Sequence, residues 1–165
     1  MKGKIKAGEG SLVGNAGECY VMAELLKRGI IAALTHRNAP SFDILAAKRN
    51  RTVSIRVKTK SQEYSNWQFN TKKDGTIFRD LSENGDFTVL VDLAMENKDL
   101  KFYVVPTHKI NAWLKKDFEE WIRTPGRNNR RHDPTNKKRN LSQKKYADKL
   151  SKYLNQWEKL WNGRG

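Results

Sequence analysis

Apolar and polar positions alternate most regularly between Ser41 and Lys60. A short apolar run, Phe42 to Ala46 with Asp43 inside it, leads through a polar basic turn at Lys48 to Arg51 into a second run. There Val53, Ile55 and Val57 face one way, and Ser54, Arg56, Lys58 and Lys60 face the other. A period of two is that of a strand, so the stretch predicts a β-hairpin with an acid and a lysine on one face.

On either side the period changes. From Ser11 to Arg28, Leu12, Ala16, Cys19, Ala23 and Leu26 recur at helical spacing, with Val13 and Tyr20 widening the stripe and Gly29 as a stop. Gly14 and Gly17 each weaken such a helix by roughly 1 kcal/mol relative to Ala, which predicts a close backbone approach near Glu18. Ile30 to Thr35 reads as a strand. Asn66 to Asn70 and Thr76 to Arg79 flank Lys73-Asp74-Gly75, a hairpin turn signal. Phe87 to Leu93 and Phe102 to Val105 read as buried strands, the second ended by Pro106.

Thr107 opens a helix with Ile110, Trp113, Leu114, Phe118, Trp121 and Ile122 on one side, broken at Thr124-Pro125-Gly126. Arg127 to Asn140 is poor in apolar residues and reads as a long basic loop. A last helix carries Tyr146, Leu150, Tyr153, Leu154, Trp157, Leu160 and Trp161, closed by Gly163. Helix, then strands, then two helices predicts an α/β fold: a single domain over 1–165, with its core at about 11–122 and a basic loop and C-terminal helix at 127–163.

Composition adds a partner. The chain has 165 residues, 37% hydrophobic, enough for a real core, and a net charge of +15 with a pI of about 10.0. From Arg127 onward twelve positive residues face three acids, so this portion holds +9 of the excess. A local basic excess points to a polyanion, DNA foremost and RNA as the alternative. Arg127, Arg130, Arg131, His132, Lys137, Lys138 and Arg139 are the candidate phosphate contacts. Trp67 is a candidate for base stacking, although such a residue more often belongs to the core. Cys19 is the only cysteine, which excludes an intrachain disulfide and favours a reducing compartment. With no signal-peptide pattern and no membrane-length apolar run, the expected location is cytoplasmic, with no membrane partner. No His or Cys spacing suits zinc, no phosphate-binding Gly-rich loop is present, and nothing marks a serine or cysteine nucleophile.

Gly14-Asn15-Ala16-Gly17-Glu18 on a leading helix, Asp43 just after Pro40, and Arg56-Val57-Lys58 on the hairpin partner together resemble the PD-(D/E)XK nuclease superfamily, in its small single-domain form. The resemblance runs in order from about Ser11 to Pro106. It implies a central mixed sheet flanked by helices and a phosphodiester hydrolase dependent on Mg²⁺ or Mn²⁺. It makes Asp43 a metal ligand, Lys58 the group that orients or activates water, and Glu18 the helix acid found in many members.

The acid or glutamine expected two residues before the lysine is here Arg56. Arginine offers no lone pair. At about 4 Å two unit charges repel by roughly 4 kcal/mol at an effective dielectric of 20, and a dication would double that. Three readings follow. The site is inert, with Asp43 and Arg56 ion-paired; or the second carboxylate comes from Glu18 or from Glu63; or the basic hairpin is only a solvated face. In the binding-only reading Arg56 and Lys60 themselves contact phosphate. The expected function is accordingly a Mg²⁺-dependent DNA endonuclease, with a catalytically inactive DNA- or RNA-binding protein of the same fold as the alternative. A basic adaptor for an acidic protein is a third reading. Nucleases that cut both strands are often dimers, so a homodimer is expected by analogy.

Overall fold

The computed structural model describes residues 10–36, 42–61, 64, 66–71, 77, 85–93 and 99–162. Helix α1 (Gly10–Lys27) is followed by strands β1 (Ile31–Leu34), β2 (Ile44–Lys48) and β3 (Arg51–Lys60). Next come β4 (Asn66–Asn70), β5 (Asp86–Asp92), β6 (Lys101–Pro106), helix α2 (Thr107–Arg123), β7 (Lys138–Ser142) and a short helix α3 (Ala147–Ser151). The main sheet has the order β1-β2-β3-β5-β6; β3 and β5 run parallel and the other neighbours antiparallel. It is a mixed five-stranded sheet with helices on both faces, the α/β architecture expected. No helix among the described residues is long and apolar enough to cross a membrane.

The period-two hairpin forms as its pattern predicts, with Ile44 opposite Ile55 and Lys48 opposite Arg51. Its turn places Arg49 at φ 55°. Val53, Ile55 and Val57 join Val21, Leu25 and Ile44 in the core under α1. The other face of the sheet buries Leu90, Tyr103 and Val105 against α2, β4 and β7. Full burial of a side chain of this size contributes about 1.5–3 kcal/mol.

Three expectations need correction. The helix stripe at Leu12, Cys19 and Leu26 is not the buried one: Leu12 and Leu26 are each 53% exposed and Cys19 is exposed, whereas Gly17, Val21 and Leu25 face the sheet. Gly17 is the reason. A Cβ there would overlap Thr59 Oγ1 and lie 2.9 Å from Thr59 Cβ, so only glycine lets the helix sit this close to β3. The expected close approach therefore holds at Gly17, while a Cβ at Gly14 meets nothing within 4 Å.

Among the described residues β4 pairs with β7, some seventy positions on, with Asn66 opposite Ser142 and Asn70 opposite Lys138. The Lys73-Asp74-Gly75 turn lies outside the described residues, as do residues 1–9, Pro40, Ser41 and Gly163, and of Thr76 to Arg79 only Ile77 is described. The basic segment is consequently not all loop; its last residues are strand.

The C-terminal helix is broken after Ser151. Tyr153 to Asn155 run along the edge of β6 instead: the Val104 N–H donates to Tyr153 O at 3.0 Å, and the Asn155 N–H to Phe102 O at 2.7 Å. The strand's open backbone groups outcompete another helical turn, and Asn155 takes the left-handed conformation at φ 53°. The chain thereby rounds the sheet edge, so that Tyr153 and Leu154 pack on the α2 side while Trp157 and Leu160 fill the α1 side.

Candidate active site

Strand β3 outruns its neighbour. The β2 pairing begins at Ile44 opposite Ile55, so the stretch from Arg56 to Lys60 has no paired strand on that side among the described residues. Asp43 stands where the pairing stops. Its backbone N–H donates to Ile55 O at 2.9 Å, and its carboxylate Oδ2 accepts the Val57 N–H at 2.7 Å, taking over from a backbone carbonyl. Its own carbonyl accepts from the Thr35 N–H at 2.9 Å, while Thr35 Oγ1 donates to Phe42 O at 2.7 Å. The acid is thus clamped between the ends of β1 and β3.

This bare edge of β3 forms the floor of a cleft of about 550 Å³, walled by the first turns of α1 and by β4. Glu18 from α1, Asp43 from just before β2, and Arg56 and Lys58 from β3 all line it. Gly17 brings the helix down onto Thr59, and the neighbouring Glu18 lines the same cleft as Lys58. The Lys58 ammonium lies 5.6 Å from the centre of the Phe69 ring, and no carboxylate among the described residues pairs with it.

Arg56 is drawn elsewhere. Its guanidinium pairs with Asp86 on β5 at 3.2 Å, both side chains almost fully buried. Asp86 also accepts from Thr107 Oγ1 at 3.0 Å, and Thr107 shares a hydrogen bond of 2.9 Å with Thr88. Burial pushes the guanidinium below its ordinary pKa against the opposing charges of Asp86 and, more weakly, Asp43. The ion pair that one reading placed between Arg56 and Asp43 is made with Asp86, because β5 is the adjacent strand and carries an acid two residues from the position opposite Arg56, on the same face of the sheet.

Lys60 is likewise committed: its ammonium meets Asp92 at 2.6 Å, 5.3 Å from the Trp67 ring, and Gln143 donates to the same carboxylate at 2.9 Å. Both side chains are thus engaged in buried pairs, although Arg56 and Lys60 still line the cleft. Trp67 is fully buried, with its indole N–H on Val91 O at 2.9 Å, and belongs to the core rather than to a stacking surface. Glu63 lies outside the described residues.

The cleft's donors fit a hard cation. Mg²⁺ takes one or two carboxylates and fills its remaining positions with water and substrate oxygens. Glu18 and Asp43 supply carboxylate oxygens to one cavity, and the cation-repelling charge of Arg56 is offset by Asp86. No group of three or more metal-binding side chains occurs among the described residues.

The basic segment between α2 and β7 presents Arg127, Arg130, Arg131, Lys137 and Lys138 to solvent. Two members fold back onto α2 instead: His132 stacks on Trp121 at 3.9 Å, and the Arg139 guanidinium lies 3.3 Å from the centre of Phe118. Asp133 accepts from both the N–H and the hydroxyl of Thr135, which holds its carboxyl below the usual range and shapes the turn.

No protein-family profile and no curated protein matches the chain. Among solved structures it is similar to a bacterial homing endonuclease, I-Ssp6803I, at 16% identity and a TM-score of 0.50, over 91% of this chain and 89% of that one. It also matches Hjc, a Holliday junction resolvase from the archaeal hyperthermophile Archaeoglobus fulgidus, at 14% identity and a TM-score of 0.44, over 89% and 93% of the two chains. The homing-endonuclease likeness extends to the fold: a mixed five-stranded sheet with flanking helices, of the restriction-endonuclease-like class.

Proposed function

We propose that this protein is a Mg²⁺-dependent DNA endonuclease. The observation that carries the reading is the convergence of Glu18, Asp43 and Lys58 from α1, the start of β2 and β3 on one cleft. Asp43 and Glu18 would hold the cation, which when bound lowers the pKa of a coordinated water and neutralises charge on the phosphate. Lys58 donates hydrogen bonds to the attacking water or to a phosphate oxygen and balances its charge. The exposed Arg127, Arg130, Arg131, Lys137 and Lys138 hold the backbone without reading bases. The likeness to a homing endonuclease agrees with this reading at the level of fold. Cutting both strands of a duplex calls for two such sites, which a homodimer would supply.

A second reading, a nucleic-acid-binding protein without catalysis, is favoured by one feature: the second acid's position is held by an arginine locked in a buried pair. Incubation with supercoiled and branched DNA, with and without Mg²⁺ or Mn²⁺, separates the two. Metal-dependent nicking lost in both Asp43→Ala and Lys58→Ala is the expected result. Salt-sensitive binding without nicking selects the second reading. No affinity for DNA at low salt sinks both.

A further inference from the structure

Strands β4 and β7 form a separate two-stranded antiparallel ribbon. Its inner face is locked into the core, with Trp67, Phe69 and Leu141 buried. Its outer face presents three cross-strand pairs: Asn66 with Ser142, Gln68 with Asn140, and Asn70 with Lys138. Gln68, Asn70, Lys138 and Asn140 are exposed, and the face carries no carboxylate. At one end it opens into the cleft, which Asn66 and Gln68 help to line. At the other, Lys137 and Lys138 continue into the exposed basic segment.

This composition goes against local preference. Asparagine is depleted in strands, yet it fills three of the six outward positions, a cost expected where a side chain has a task other than folding. Side-chain amides present a donor and an acceptor together, the pattern that pairs with N6 and N7 of adenine in the major groove. The dimensions agree. A two-stranded ribbon enters a groove about 12 Å wide, and outward residues of one strand, about 7 Å apart, match about two base-pair steps of 3.4 Å.

Resting on the proposed action on DNA, we propose that the β4–β7 ribbon is a sequence reader that lies in the major groove of B-form DNA, with Gln68, Asn70 and Asn140 as base-contacting residues and Lys138 on phosphate. The A-form major groove is too narrow for side chains to read, so the ligand is duplex DNA rather than duplex RNA. The ribbon's contact with the cleft wall makes the base pairs it reads neighbours of the phosphate that enters the cleft.

The test is selection of the full chain on a duplex library with a randomised centre, without Mg²⁺ so that binding is read apart from cleavage. The wild type is expected to enrich a short motif. Gln68→Ala, Asn70→Ala and Asn140→Ala should each flatten the preference at one or two base pairs, losing roughly 5- to 150-fold discrimination there. Their thermal melts should be unchanged, since these side chains point outward from the ribbon. Lys138→Ala should keep the motif and lower the salt slope by about 1. The proposal is overturned if the wild type binds duplex DNA with no motif, or if the triple variant Gln68→Ala/Asn70→Ala/Asn140→Ala keeps the wild-type motif. Absence of any duplex affinity overturns the underlying DNA reading and the ribbon proposal with it, a result distinct from both.

Discussion

Arg56 and Asp86 sit on adjacent parallel strands, their charged groups 3.2 Å apart and their side chains 3% and 4% exposed. Breaking such a pair leaves a buried charge without compensation, whereas replacing both partners restores balance. Asp86→Asn is therefore expected to cost about 3–5 kcal/mol, and Arg56→Met in that background to recover much of the loss. Urea unfolding with unchanged m-values measures it. A cost under about 1 kcal/mol for Asp86→Asn would show that the pair contributes little to stability.

Asp43 serves the fold through one oxygen, Oδ2, on the Val57 N–H. Asp43→Asn keeps an oxygen acceptor in that place, so its melting temperature should stay close to wild type. Its metal-dependent nicking should fall by more than the roughly 10- to 100-fold that loss of a group supporting a metal ligand costs. Wild-type nicking by a folded Asp43→Asn protein would remove Asp43 from the chemistry.

Gly17→Ala should be severe for its size. The new methyl meets a β-branched side chain on a central strand, not a flexible tip, and overpacking of this kind costs about 1–3 kcal/mol. Thr59→Ala should rescue part of the loss in the double variant, a non-additivity that a double-mutant cycle reads directly. Additive effects would mean that the two residues do not touch.

Tyr146 donates its hydroxyl to Asp117 at 2.8 Å and to Trp113 O at 3.2 Å. Burial, then the bond to Asp117 and its charge, raise the pKa well above the ordinary value of 10.0. The folded state keeps a proton that the unfolded chain gives up, so stability present below pH 10 declines as the pH rises past it. Tyr146→Phe should flatten that alkaline decline in thermal unfolding between about pH 9 and 11. An unchanged alkaline slope would show that Tyr146 does not carry it.

The hairpin with Asp43, Arg56 and Lys58 was legible because strand alternation is local and each residue's face follows from parity. So was the order of helix, hairpin and later strands that brings Glu18 to the same cleft. The face of α1 was not: the surface packed on β3 is made partly by Gly17, which has no hydrophobic side chain to announce it, while Leu12 and Leu26 advertise the opposite side. The β4–β7 pairing was hidden by distance, because a nearby Asp-Gly turn signal offered a local partner. The break in the last helix was hidden for another reason. The stripe of Leu150, Leu154, Trp157 and Trp161 keeps helical spacing, and only the open edge of β6 makes an extended segment more stable there.

The wrap of residues 153–160 around β6 bears on how the chain matures during synthesis. Trp157 and Leu160 complete the cluster begun by Val21 and Leu25, Arg28 lies over the Trp157 ring at 5.0 Å, and Arg51 donates to Trp161 O at 2.7 Å. A ribosome-bound chain from which residues 153–160 have not yet emerged leaves one side of its core and one strand edge uncovered. Completion of this side of the core then waits until the segment emerges from the exit tunnel, since its partners in α1 lie far away in sequence.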